Sequence, residues 1–170
     1  VRLYPINLEV LFSNNPSALK GGEVSVSPIV KPSFEQTLNI GSSGEVIFKL
    51  PTEWSTHALQ VEVKSGGLSR VLSYAPQAFR QHIFKQKGLL RVLDAKRVTQ
   101  PISGAYVKVY VELKSGEVRF YKDGYTDYRG IFDYINANPA PPLTQIKQFL
   151  ILTLTQAHGA TTREVSPPAH

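Results

Sequence analysis

The chain has 170 residues, 42% of them hydrophobic and 19% charged, with a formal charge of +6, which suits one large domain or two compact ones and excludes a disordered tail. It holds no cysteine, so a disulfide framework and a thiolate metal site are both excluded. No apolar run approaches the ~20 residues of a spanning helix; the longest is Phe149-Leu150-Ile151-Leu152.

The elements read in order from the start. Val1 to Pro5 has no leader anatomy, and a chain without a single Met reads as a piece of something longer. Ile6, Leu8, Val10 and Phe12 recur at every second position, which predicts a half-buried strand. Asn14-Asn15-Pro16 ends it, and Lys20-Gly21-Gly22 turns into a strand carrying Val24 and Val26. Phe34 to Ile40 and Glu45 to Leu50 read as two more, separated by the turn Gly41-Ser42-Ser43-Gly44. Leu59, Val61 and Val63 alternate up to Ser65-Gly66-Gly67, and Leu68 to Tyr74 follows. Residues 1–76 therefore read as a first β-sandwich module.

Residues 77–88 are polar and basic without a clear period and read as a linker, or as one strand passing between modules, with a short helix from Pro76 to Phe84 as the competing reading. Residues 89–170 restart the strand pattern as a second module. Leu89 to Leu93 is a strand, and Asp94 to Pro101 a turn-rich connection. Ala105, Val107, Val109, Val111 and Leu113 alternate with Tyr106, Lys108, Tyr110 and Glu112, the clearest strand in the chain. After the turn Ser115-Gly116, Val118 to Tyr121 pairs back, and Asp123-Gly124 reads as a further turn. Ile131 to Tyr134, a proline-rich loop over 136–142, Phe149 to Thr155 and Ala160 to Val165 complete the set. The fold class is all-β: two tandem antiparallel β-sandwich modules, Ig-like or prealbumin-like.

The halves share a loose template. Gly22-Glu23-Val24-Ser25-Val26 and Gly44-Glu45-Val46-Ile47-Phe48 in the first correspond to Gly104-Ala105-Tyr106-Val107-Lys108-Val109 and Gly130-Ile131-Phe132 in the second. The expectation is that Val24, Val26 and Phe48 occupy core positions matching Val107, Val109 and Phe132. Leu93-Asp94, Pro101-Ile102-Ser103-Gly104-Ala105, Val107-Lys108-Val109 and Thr126-Asp127 with Gly130-Ile131-Phe132 make residues 88–166 resemble carboxypeptidase regulatory-like modules. That resemblance implies a transthyretin-like (prealbumin-like) sandwich and is nearly silent on activity. The first half resembles a macroglobulin-like or Ig-like sandwich module, through Gly44 to Pro51.

His57, His82, His158 and His170 fall in separate elements, and no Gly-x-Ser-x-Gly elbow is present. The chain therefore reads as not an enzyme, with no cofactor and no metal. Asp123, Asp127 and Asp133 could offer oxygen ligands to calcium, but not at EF-hand spacing, and aspartates at turns bond their own backbone.

Two features suggest an interaction surface. The basic stretch Arg80, Lys85, Lys87, Arg91, Lys96 and Arg97 is opposed only by Asp94 and could attract an acidic protein or an anionic glycan. Tyr121, Tyr125, Tyr128 and Tyr134, with Lys122 and Arg129 between them, form an aromatic–basic cluster, either a stacking platform or tyrosines packed across a sheet. The surface candidates are Arg80, Lys85, Lys87, Arg91, Tyr121, Tyr125 and Tyr128.

The resulting expectation is a structural or protein-interaction segment of a larger multi-module protein, extracellular or in the cell envelope, with a cytoplasmic setting left open. Its partners would be proteins or neighbouring modules of the same chain, or an anionic glycan; nucleic acid is disfavoured. The alternatives are a glycan-binding module using Trp54 or the tyrosines, an accessory domain of an enzyme, and a strand-donating filament subunit.

Overall fold

A computed structural model describes residues 1–17 and 31–169. Strand β1 (Arg2–Pro5) leads into helix α1 (Leu8–Asn14), where alternation predicted a strand. The helix has a local cause. Asn7 caps it, its Oδ1 accepting from the Val10 N–H at 3.1 Å, and Glu9 sits in the first turn, where a negative charge is favoured. Leu8, Leu11 and Phe12 also fall at i, i+3 and i+4, so the same letters carry a helical face. The outcome separates two residues that the strand reading put together: Phe12 is 1% exposed and Val10 is 52% exposed.

Strand β2 is only Phe34–Glu35, shorter than expected, and Glu45 to Leu50 forms no strand. A 3-10 turn covers Thr52–Trp54. Strands β3 (Leu59–Ser65) and β4 (Leu68–Tyr74) make the expected hairpin. These four form an antiparallel sheet in the order β2-β1-β3-β4. One face carries Leu3, Phe34, Leu59 and Val61; the other carries Arg2, Tyr4, Glu35 and Glu62, joined by ion pairs and hydrogen bonds. Val24 and Val26 lie outside the described residues. Phe48 is half-buried beside Phe34, with ring centroids 6.2 Å apart, and so does not take the strand position that Phe132 takes.

Residues 77–88, expected to link the halves, carry strand β5 (Phe79–Phe84) and a 3-10 turn over Lys85–Lys87, with no α-helix. Phe79, Gln81 and Ile83 alternate inward and Arg80, His82 and Phe84 outward, a half-buried period that the basic residues obscured. Strands β6 (Leu89–Asp94), β7 (Tyr106–Leu113), β8 (Val118–Tyr125), β9 (Ile131–Asp133), β10 (Ile146–Thr155) and β11 (Gly159–Val165) follow. They form two antiparallel sheets, β11-β10-β7-β8 and β5-β6-β9. Between these sheets lie Phe79, Leu90, Val92, Val107, Val109, Val111, Phe132, Tyr134, Phe149 and Ile151. The second half is thus a β-sandwich with alternate residues in its core.

Asp123-Gly124 is not a turn. It lies inside β8, with Gly124 opposite Val107, and a Cβ on Gly124 would stand 2.8 Å from the Phe132 ring. The missing side chain makes room for that ring.

Among the described residues, two contact regions tie the halves. Phe12 of α1 packs on the outer face of the β11-β10-β7-β8 sheet against Leu150 and Leu152, and meets Tyr110 edge-on at 5.6 Å. Beside it Lys108 Nζ lies 3.2 Å from Glu9 Oε1. Strand β10 is therefore covered on both faces, which is why it reads as an unbroken apolar run. Farther along, residues 76–78 run against the β10–β11 turn, Ala78 N–H donating to His158 O at 2.7 Å and Ala160 N–H to Pro76 O at 3.0 Å. Gly159 permits this approach: its φ is +82°, and a Cβ there would lie 1.7 Å from Pro76 O.

Candidate interaction surface

The register of β5 on β6 sets Arg80 opposite Leu93, His82 opposite Arg91 and Phe84 opposite Leu89. Because these pairs lie one step out of phase with the core residues, all six lie on the outer side of the β5-β6-β9 sheet, where Leu93 is covered and only 8% exposed. Arg80, His82 and Phe84 are exposed, Phe84 at 46%. Lys85 and Lys87 follow in the 3-10 turn at the end of the hairpin, Lys85 Nζ donating to Ser166 Oγ at 2.9 Å. Among the described residues, none of Arg80, Lys85, Lys87 and Arg91 is ion-paired. The acid contributed by these strands to this face is Asp133 of β9, opposite Leu89, whose Oδ1 accepts from the Ile135 N–H at 3.0 Å. The face is cationic with an exposed aromatic ring at one corner.

The tyrosine cluster does not survive as one unit. Tyr121 points into the sandwich, its ring meeting Phe149 edge-on at 5.6 Å, and burial raises its pKa. Tyr134 is fully buried beside Phe149, and burial followed by the charge of Asp133 pushes its hydroxyl up to about 12. Tyr125 lies on the opposite outer face of the molecule, its ring tilted against Tyr106 with centroids 5.4 Å apart. The Tyr106 hydroxyl donates to Asp123 at 2.7 Å, and its pKa is raised by burial first and by that bond second. Tyr128, 78% exposed, has the Arg129 guanidinium 5.5 Å from its ring centroid. Its turn abuts the cationic face, since Arg91 Nε donates to Arg129 O at 3.2 Å.

The candidate surface therefore unites Arg80, Arg91 and the adjoining Lys85 and Lys87 with Tyr128, and sets Tyr121 and Tyr125 apart. Sequence reasoning missed His82 and Phe84. The signal was present in the alternation of Phe79, Gln81 and Ile83, which makes 79–84 a strand and puts 80, 82 and 84 on one side.

The turns that frame this sheet are held by carboxylates. Asp94 Oδ1 accepts from the N–H groups of Arg97 and Lys96 at 2.8 and 2.7 Å, and Oδ2 lies 3.2 Å from His158 Nε2. Those bonds, Arg97 first, hold its pKa below the usual aspartate value. Asp127 Oδ1 accepts from Ile131 and Arg129 N–H at 2.9 Å each; the Ile131 bond and then the Arg129 guanidinium lower its pKa. Asp123, Asp127 and Asp133 each serve a separate partner, and no group of three or more potential metal ligands assembles among the described residues. Trp54 sits edge-on to His57 at 5.6 Å in the first half. A cleft of about 490 Å³ opens at the joint between the halves, lined by Pro5, Asn7, Thr56, Pro76, Leu154 and Thr155 among others.

The chain matches two sequence profiles in tandem: the AbpF seventh immunoglobulin-like domain over residues 1–61, and the AbpF C-terminal domain over residues 78–170. It is 35% identical over 170 residues to Actin-binding protein F of Dictyostelium discoideum, an alignment covering 99% of this chain and 7% of the relative. No solved structure matches. The Ig-like character expected of the modules is thus supported, whereas neither matching profile is a carboxypeptidase regulatory-like one. The expected extracellular or envelope setting is overturned by the same relative, a protein named for binding actin, a subunit of the cytoskeleton.

Proposed function

The chain belongs to the AbpF C-terminal domain family, and from that premise we propose that it is a non-catalytic, tandem Ig-like docking unit of a larger protein acting at the actin cytoskeleton. The observation that carries this reading is the near end-to-end likeness to an actin-binding protein, across both consecutive modules. The sandwich supplies rigid sheets and exposed faces, which suit protein contacts better than chemistry. The net charge of +6 favours acidic partners. A division near residue 77, with β5 as the first strand of the second module, fits the start of the second profile. The glycan alternative draws no support from the tyrosines, because they do not share a face.

Co-sedimentation of the 170-residue chain with actin filaments tests the proposal. The expected result is chain in the pellet in proportion to filament, reduced by added salt. Chain that stays in the supernatant at low salt overturns actin as its direct partner.

A further inference from the structure

We propose that the outer face of the β5-β6-β9 sheet is a docking surface for an extended, acidic protein segment that carries an apolar side chain beside its carboxylates. The inference deepens the docking reading above and rests on it.

Its first support is charge. Arg80 and Arg91 project from one face, Lys85 and Lys87 close its end, and none of the four has an acidic partner among the described residues. Like-signed groups gathered on one sheet gain nothing from each other in the fold. A carboxylate from outside relieves that repulsion and forms charge-assisted hydrogen bonds, with guanidinium the best donor.

Geometry supplies the second. Arg80, His82 and Phe84 alternate along one strand, so their side chains recur every ~6.8 Å, twice the rise per residue of an extended chain. An extended peptide laid along β5 repeats its own side chains at the same interval. Carboxylates at alternate positions therefore fall in step with Arg80 and Arg91. Phe84, 46% exposed, and the Tyr128 ring at 78% give apolar contact at the margins. A sulfated glycan offers charge at such a spacing but no apolar group for these rings. The segment that fits best carries carboxylates at positions i and i+2 and an apolar side chain at i+4, all on the face turned to the sheet, a protein chemistry.

The test uses the whole chain and a fluorescein-labelled peptide with Glu, Glu and Leu at successive alternate positions and Ser between them, read by anisotropy. Binding is expected at low salt and should weaken about tenfold or more at several-fold higher ionic strength, because exposed charges are screened. Arg80→Glu with Arg91→Glu should weaken it about tenfold or more, as reversing a complementary pair does. Lys114→Glu with Arg163→Glu makes the same change in net charge elsewhere and should leave binding nearly unchanged. Phe84→Ala should weaken it several-fold. If the first pair lowers the thermal midpoint, Arg80→Gln with Arg91→Gln replaces it. Equal loss in the two double variants reduces the effect to net charge and overturns the proposal. Heparin oligosaccharide or single-stranded DNA bound as tightly as the peptide overturns the acidic-protein identity, and no binding at low salt overturns the surface itself. Because the peptide assay contains no actin, its result is separable from the sedimentation result.

Discussion

Phe149 and Phe12 are both sealed from water, but by different means. Phe149 stands inside the second-half sandwich with Tyr121 and Tyr134 set edge-on against it, all three from the same module. Phe12 belongs to the first half and is buried by β7 and β10 of the second. One module closes on itself, whereas the most buried ring of α1 depends on its neighbour. Burial at a joint and burial in a core are thus read from different partners, although the side chain is the same.

Phe149→Ala should cost most, about 3–5 kcal/mol, the range for emptying a core aromatic site. Phe12→Ala should cost about 3 kcal/mol or less, because the outer face can rehydrate when the joint loosens. Trp54, the single tryptophan, lies in the first half and reports that half by fluorescence, while hydrogen exchange in β7 and β10 reports the other. Phe12→Ala is expected to bring the Trp54 transition to lower denaturant without a matching shift in the β7 amides. If both probes move together, the halves form one cooperative unit and the contrast fails.

An acid titration sharpens the comparison at intermediate size. Asp94 and Asp127 have pKa values held below normal in the folded state. Their contribution to stability is thus complete above the unfolded aspartate pKa of about 4 and is lost as pH falls through the lower folded values. Both belong to the second half, so its thermal midpoint should fall between neutral pH and pH 2. Asp94→Asn with Asp127→Asn should lower the midpoint at neutral pH and flatten that acid limb. An unchanged limb in the double variant would assign the acid sensitivity to other carboxylates.

The smallest effect belongs to Glu9→Gln. The Glu9–Lys108 pair spans the joint with Glu9 44% exposed, so its loss should cost less than about 1 kcal/mol and should diminish further in salt. Denaturant melts of both proteins at two salt concentrations measure it.

Much of the second half was legible in the sequence, because β7 turns its valines fully into the core and leaves its polar-tipped Tyr106, Lys108, Tyr110 and Glu112 half-buried on the other face, a contrast that makes period two unambiguous. The first half was less so. Ile6 to Phe12 satisfies period two and the i, i+3, i+4 pattern at once, and the tie is broken by the Asn7 cap and by the docking of Phe12, the second of which lies in another module. Asp123-Gly124 misled for a related reason: the glycine answers to the Phe132 ring, not to a turn. Of the candidate surface, the basic residues were visible as composition, but their common face was not, since it needed the strand at 79–84 and its pairing with β6. The tyrosines were close in sequence, yet β8 sends neighbouring side chains to opposite sides and its irregular register between Val109 and Tyr110 shifts the phase.

The two attachments between the halves have a mechanical consequence. A pair of modules joined only through its connecting peptide can swivel, and the connector then dissipates any twist applied to it. Here the connector is pinned at Pro76 against Gly159, and a second fastening holds α1 on the far sheet through Phe12. Two separated fastenings remove the swivel, as two screws hold a plate that one would let spin. The cationic face then keeps a fixed bearing on the first module.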